Sequence, residues 1–217
     1  MQEYHFLLKK LFLVAEFISA IVGLLYIVEL KKSYWKWFSL YLFFIMTQEF
    51  FWYFNSFFPD NIKQGYYAFI GIPIQYLFLF WLYAYKSLKN KKLLFYCIVI
   101  YLTTYIPVEL FFKKIDVVYS INLTMGTLLL AFLIVLEFLK QIKDDSIINF
   151  EKNKMFYITI GIILSYIGTY PFFCFYNELW YDHRQIWQIY FAYFLCSNTI
   201  MYLLFTASYI WGKRPLS

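Results

Sequence analysis

Residues 154–211 read KMFYITIGIILSYIGTYPFFCFYNELWYDHRQIWQIYFAYFLCSNTIMYLLFTASYIW. Two long apolar runs flank a polar island at 176–188, and the island holds one of the two arginines and one of the two histidines. About 20 apolar residues at 1.5 Å each are needed to cross roughly 30 Å of hydrocarbon. The stretch therefore predicts two membrane-spanning helices joined by a polar turn.

Similar runs recur along the whole chain, which predicts an all-α, polytopic membrane protein. Strands facing lipid would need a closed barrel of alternating segments, whereas these runs are continuous. We expect a single transmembrane domain, residues 1–217, built as a bundle of seven helices. The predicted spans are about 8–30, 35–57, 66–86, 93–112, 117–139, 154–176 and 186–211.

The composition supports a membrane class and argues against nucleic-acid binding. Of 217 residues, 63% are hydrophobic and 15% charged, against about 25% charged in soluble domains. The net charge is +6, but the lysines flank the apolar runs, where anionic lipid headgroups and topology explain them. The lipid bilayer is therefore the expected partner, and no nucleic acid is expected.

The basic residues predict an orientation. With seven alternating spans, thirteen lysines and arginines fall on one side and six on the other. The positive-inside rule places the richer side in the cytoplasm. The N-terminus is then outside, the C-terminus is cytoplasmic, and the polar island at 176–188 faces outward. We expect a multi-pass protein of a bacterial cytoplasmic (inner) membrane.

Small residues at every fourth position indicate which helix faces pack closely. Three spans carry such a face. The residues are Ala15, Ser19 and Gly23 in the first span, Thr124, Thr127 and Ala131 in the fifth, and Gly161, Ser165 and Gly168 in the sixth.

Three prolines, Pro73, Pro107 and Pro171, lie within spans near their expected outer ends. A proline removes a backbone donor and frees a carbonyl one turn back. Breaks at similar depth predict a cavity in the outer half of the bundle, and three ordinary kinks are the alternative.

Polar side chains inside the spans are the candidate functional residues. An ionisable group there costs about 2.5–3.5 kcal/mol on insertion scales and usually faces the interior. Glu16 and Glu49 lie deepest, and two close carboxylates need a counter-charge to stay ionised together. The predicted ligand- or proton-binding residues are Glu16, Glu49, Gln75 and Asn198, with a pocket rim of Glu109, Asn122, Glu178, His183, Arg184 and Gln188. The alternative is that the acids only form hydrogen bonds between helices.

Glu137 is interpreted differently, because it lies close to Lys140 near the expected inner surface. That spacing predicts an ion pair at the membrane interface.

The sequence lacks the motifs typical of hydrolases, zinc proteases and nucleotide-binding enzymes. No GxSxG, HExxH or Walker motif occurs. Cys97, Cys174 and Cys196 have no metal-ligand spacing. We therefore expect no catalytic site, no metal site and no cofactor.

The layout resembles small seven-helix membrane proteins of Bacteroidota. The resemblance rests on Glu49 late in the second span, Phe156 with Gly161, Gly168 and Thr169 in the sixth, and Trp187 with Asn198 in the seventh. Such proteins often appear alongside signalling proteins, so the resemblance implies a sensory role. No functional residue of this chain is inferred from the resemblance.

The leading hypothesis is a non-enzymatic sensor or receptor-like subunit. A small ligand or proton would bind in an outward-facing polar pocket, and a separate cytoplasmic signalling protein would receive the signal. A small, proton-coupled transporter is the alternative, and a structural subunit of a membrane complex is a third. The sequence leaves the oligomeric state open.

Overall fold

The computed structural model describes residues 2–31, 33–55, 57–105, 120–144 and 147–212. Pro107 and the predicted rim residue Glu109 lie outside these ranges. In the described ranges the chain forms helices and no strand. This confirms the predicted all-α class.

Eight helices are numbered here in chain order. α1 spans Gln2–Leu25, α2 Trp35–Phe54, α4 Lys91–Thr103, α5 Ser120–Lys143, α7 Tyr176–Tyr181 and α8 Arg184–Ile210. α3 covers 60–87, where α-helical Asp60–Tyr66 and Ile72–Phe80 alternate with π-helical Tyr67–Gly71 and Trp81–Ser87. α6 covers Lys154–Cys174 and has a π-helical segment at Ile163–Ile167. A short 3₁₀ turn, Phe150–Lys152, precedes it.

Within the described ranges, four helices are long and apolar enough to cross a membrane. They are Ile62–Ser87 of α3, Ile121–Lys143 of α5, Lys154–Cys174 of α6 and Arg184–Ile210 of α8. The structure thus supports a membrane protein with four candidate spans.

The chain packs as two compact units. The first comprises 1–54 and 144–217, and the second comprises 55–143. The single domain expected from the sequence stays a prediction.

In the first unit, α8 packs between α1 and α6, and α2 packs against α1. α1 runs parallel to α8. His5 contacts the backbone of Gln188 at one end, and Glu16 contacts Tyr202 further along. At the other end Gly23 approaches the Tyr209 hydroxyl.

α2 and α6 run the opposite way. The Phe17 and Phe50 rings are 5.8 Å apart, while Gly23 lies against Ser39, so α2 is antiparallel to α1. Gly161 lies against Met201, while Ser165 bonds to Asn198, so α6 is antiparallel to α8.

The second unit is built from α3, α4 and α5, and its helix directions also alternate. α3 and α5 are parallel, because Tyr76 bonds to Thr127 and Ser87 bonds to Glu137. α4 is antiparallel to α3. It begins beside the end of α3, and the hydroxyl of Tyr105, just after α4, donates to the carbonyl of Ala68 near the start of α3, at 3.3 Å.

Small residues lie at the close helix contacts, as the sequence predicts. Ala15 and Ser19 are buried in the first unit. A Cβ on Gly161 would approach the Met201 backbone to 3.3 Å, and one on Gly126 would meet the Tyr76 ring at 2.9 Å. The helices approach closely because these positions lack bulk.

Each described proline inside a span follows a π-helical segment. Pro73 comes two residues after Tyr67–Gly71, and Pro171 comes four residues after Ile163–Ile167. Proline cannot donate to the preceding turn, and its ring crowds the carbonyl there, so a widened turn relieves the contact. Thr169 Oγ1 also donates to the carbonyl of Ser165.

Both boundaries of α1 differ from the prediction. The helix was expected at about 8–30 but extends from Gln2 to Leu25, and turns follow at 26–31. The hydrophobic signal starts later than the helix does, because the first turns carry polar residues.

Candidate functional site

Glu16 is the most enclosed acid of the first unit, with 1% of its surface exposed. It lies about 21 Å along α1 from Gln2 and about 14 Å from Leu25, by the rise of 1.5 Å per residue. It is therefore deeper than the roughly 12 Å expected for a helix beginning at residue 8. The small residues Ala15, Ser19 and Ala20 around it are buried, which lets α8 approach.

Among the described residues, only one of the two Glu16 carboxylate oxygens has a hydrogen-bond partner. The Tyr202 hydroxyl donates to Oε1 at 3.1 Å. Oε2 is buried without a partner, and so is the hydroxyl of Ser19, three residues further along the same face of α1. A buried polar oxygen without a partner costs about 1–3 kcal/mol, so a proton or cation at this position would stabilise the carboxylate.

Glu49 on α2 is the second acid of the site. It is half-buried and lies close enough to Glu16 for the two carboxylates to repel each other. The adjacent Phe17 and Phe50 rings hold these stretches of α1 and α2 together, at 5.8 Å. The structure therefore brings Glu16 and Glu49 into one site.

Three tyrosines complete this cluster. Tyr41 and Tyr166 share a hydrogen bond. Tyr202 interacts electrostatically with both of them and with Glu16 and Glu49. We call these five residues the carboxylate–tyrosine cluster; it joins α1, α2, α6 and α8. The sequence analysis missed the tyrosines, because the chain has 23 of them and none stands out.

Asn198 lies one turn before Tyr202 on α8, but its amide is already engaged. Its Oδ1 accepts from Ser165 Oγ at 2.7 Å, and its Nδ2 donates to the Phe194 carbonyl at 2.8 Å. It thus fixes α6 to α8 beside the cluster. A ligand could contact the Asn198 amide, as predicted, only if these two hydrogen bonds were broken.

Two of the other predicted residues belong to the second unit. Gln75 and Asn122 lie there, so nothing places them with the carboxylate–tyrosine cluster. Asn122 forms a hydrogen bond with Tyr105, while its own Oδ1 is buried without a partner.

The remaining rim residues lie at one end of the first unit. Glu178, His183 and Arg184 are exposed. The guanidinium of Arg184 lies 4.0 Å from the centroid of the Trp180 ring. Arg184, a predicted rim residue, is therefore engaged in a cation–π contact. Glu16 has no contact with a cationic side chain among the described residues.

Gln188 is joined to the start of α1. His5 Nε2 donates to the Gln188 carbonyl at 3.2 Å, and the Gln188 Oε1 is buried without a partner. The His5 ring also meets the edge of Phe191 at 5.4 Å. His5 had no predicted role because it precedes the expected first span.

The polar island at 176–188 is held by aromatic rings. Trp187 lies 4.6 Å from Trp180 and stacks on Phe191 at 4.9 Å. Phe172, which is buried, contacts Tyr176 and Trp187. Aromatic side chains of this kind are typical of the membrane interface.

A second polar cluster lies in the second unit, and it adds Ser87 and Gln141 to the predicted pair of Glu137 and Lys140. Glu137 is 1% exposed and accepts from Ser87 Oγ at 2.5 Å and from Gln141 Nε2 at 2.9 Å. Lys140 Nζ donates to the hydroxyl and the carbonyl of Ser87, both at 3.0 Å. Glu137 and Lys140 were expected to form an ion pair at the membrane interface. In the structure they are joined through the buried Ser87, to which both side chains form hydrogen bonds.

The chemistry of the carboxylate–tyrosine cluster is that of proton or cation binding. It offers carboxylate and hydroxyl oxygens in a low-dielectric interior, where they interact strongly with a positive charge. In the described part of the chain, no three His, Cys, Asp or Glu side chains come together as a metal-binding group.

No protein-family model matches this chain, and no curated protein or solved structure matches it either. The functional conclusion therefore depends on the geometry of the carboxylate–tyrosine cluster.

Proposed function

We propose that this chain is a membrane sensor that binds a proton or a small monovalent cation at Glu16 and Glu49. The observation that carries the proposal is the Glu16 carboxylate. It is enclosed between helices, it has one oxygen without a partner, and a second carboxylate lies nearby. A positive charge at this point supplies the missing partner and relieves the repulsion between the two acids.

The cluster is placed to couple binding to helix packing. It joins four helices through Tyr41, Tyr166 and Tyr202, and the π-helical turn of α6 carries Tyr166 itself. A ligand shifts an equilibrium between two arrangements only through its different affinity for them. Occupation of the site changes the charge that these tyrosines face, so it favours one packing of α2 and α6 over another.

We also propose seven membrane crossings. α1 has 24 residues and runs parallel to the candidate span α8, from His5 to Gly23, so it covers about 36 Å. α2, with 20 residues, covers about 30 Å in the opposite direction. α3 and α5 are parallel candidate spans, which requires a crossing between them, and α4 supplies it.

The lysine distribution then places the N-terminus outside and the C-terminus in the cytoplasm. The polar island faces outward in this arrangement. The proposed location is a bacterial inner membrane, where the cytoplasmic partner is a separate signalling protein, in keeping with the resemblance to small seven-helix proteins of Bacteroidota.

The test uses the purified full chain in proteoliposomes with three variants. Glu16→Gln and Glu49→Gln remove the proposed ligand groups, and Glu3→Gln removes an exposed acid from the same helix as Glu16. Infrared difference spectra between two pH values report carboxyl protonation, and the unfolding temperature in sodium or potassium chloride reports cation binding. A pH-sensitive dye inside the vesicles reports flux.

A sensor gives a carboxyl band or a salt-dependent stabilisation that Glu16→Gln and Glu49→Gln reduce and Glu3→Gln keeps, without flux. Flux that both cluster variants abolish identifies a transporter instead. If both variants match the wild type in every readout, the acids serve only to join helices and the proposal fails.

A further inference from the structure

The first residues of α2 and α6 meet at one end of the first unit. α2 begins at Trp35 and α6 begins at Lys154. Lys154 Nζ lies 5.7 Å from the centroid of the Trp35 ring. The two helices run in the same direction, so both present the positive end of their dipole at this point.

The Lys154 side chain is held inside the protein at this junction. It is 5% exposed, and its Nζ also lies 5.2 Å from the centroid of the buried Tyr209 ring. The backbone at Gly212 passes so close that a Cβ there would overlap the Lys154 Cγ atom. The ammonium is thereby fixed between two aromatic rings.

Among the described residues, no acid balances the charge at this junction. Lysine at the first position of a helix has the unfavourable sign for the helix dipole, and Lys36 repeats the pattern at the second position of α2. No carboxylate contacts Lys154 among the described residues. The indole Nε1 of Trp35 is a second buried donor, and it has no partner.

A buried indole donor without an acceptor, next to a buried ammonium group, points to an anion. Burying an uncompensated charge is costly, and the positive ends of two helix dipoles favour a negative charge at this point. Trp and Tyr rings with flanking lysines are also typical of the depth at which lipid headgroups lie. We propose that the Lys154 ammonium and the Trp35 indole, at the positive ends of α2 and α6, bind a phosphate group.

The phosphate comes from an anionic phospholipid or from a soluble phosphate, and the test separates the two sources. It does not depend on the proposed role of Glu16 and Glu49. The unfolding temperature of the full chain is measured in micelles with added phosphatidylglycerol, phosphatidylcholine or inorganic phosphate. Native mass spectrometry of the same samples counts retained lipid.

The variants are Lys154→Met, which keeps the apolar stem, and Trp35→Phe, which keeps a ring and removes the donor. Lys152→Met is the matched control, because Lys152 lies two residues away and is exposed. Loss of a charge-assisted hydrogen bond weakens binding about tenfold or more. We expect that loss for Lys154→Met, a smaller one for Trp35→Phe and none for Lys152→Met.

Protection of the wild type by phosphatidylglycerol, with loss in Lys154→Met, supports a lipid phosphate. Protection by inorganic phosphate alone, with the same loss, supports a soluble one. The proposal is overturned if neither compound protects the wild type. It is also overturned if Lys154→Met responds to them as Lys152→Met does.

Discussion

At the residue scale, the hydrogen bond from Tyr202 to Glu16 makes the sharpest prediction about the carboxylate–tyrosine cluster. Tyr202→Phe keeps the ring but removes the donor to Oε1, so neither Glu16 oxygen has a described donor. Interhelical hydrogen bonds in membranes contribute about 0.6 kcal/mol on average, and a buried group left unpartnered costs more. We expect a loss of about 1–2 kcal/mol in the free energy of unfolding, measured by SDS titration in mixed micelles.

Two further variants show whether that loss comes from the pair. Tyr190→Phe removes a partly exposed hydroxyl from the same helix and should change stability by less than about 0.5 kcal/mol. In a Glu16→Ala background, the cost of Tyr202→Phe should shrink, because the acceptor is gone. An unchanged cost would show that Tyr202 acts through its other neighbours.

Ser87 gives a second prediction at this scale. Ser87→Ala removes the hydroxyl that links Glu137 to Lys140, so a buried carboxylate loses its shortest hydrogen bond. The expected loss is about 1–3 kcal/mol in the same SDS titration. Thr103→Ala, an exposed hydroxyl bonded within its own helix, is the control and should stay within about 0.5 kcal/mol.

Single residues also show how far the sequence can predict this site. Glu16 stands out because an acid is rare inside an apolar run, and the structure does enclose it. Tyr202 and Ser87 do not stand out, because tyrosine and serine are tolerated at many depths. Their roles depend on which helices meet, and spacing along one helix does not contain that information.

At the scale of one element, two glycines of the second unit form a matched pair. A Cβ on Gly126 of α5 would lie 2.9 Å from three atoms of the Tyr76 ring, whereas one on Gly65 of α3 has open space. Gly126→Ala should cost about 1–3 kcal/mol by overpacking. Gly65→Ala should be neutral or stabilise by about 0.5–1 kcal/mol through helix propensity. Unfolding temperatures that do not separate the two variants would contradict the close approach of α3 and α5.

Element boundaries were predicted best where the apolar run itself ends. α2 and α6 begin at 35 and 154, as expected, because polar or lysine-rich turns precede them. α1 begins six residues early, since a helix continues into polar sequence when its neighbour α8 offers contacts such as His5 with Gln188. The period of apolar residues does not predict the π-helical segments. The two described prolines inside spans, however, each follow such a segment and could have indicated it.

At the scale of the whole molecule, the proposed topology depends on whether residues 91–119 cross the membrane. α4 lacks the length of a complete span within the described residues, and its direction is known only from contacts such as Tyr105 with Ala68. With seven crossings, three lie between Phe57 and Ile148, so these residues face opposite sides. If one of the three helices α3, α4 and α5 does not cross, only two crossings lie between these residues and both residues face the same side.

Two cysteine variants decide between these topologies. Phe57 and Ile148 are 95% and 73% exposed, so Phe57→Cys and Ile148→Cys should each react with maleimide once Cys97, Cys174 and Cys196 are replaced by alanine. We expect a membrane-impermeant maleimide to label position 57 in intact cells and position 148 only after permeabilisation. Labelling of both positions in intact cells, or of neither, would contradict three crossings and would show that one of α3, α4 and α5 does not cross. Labelling of position 148 alone would keep seven crossings but reverse the orientation inferred from the lysines.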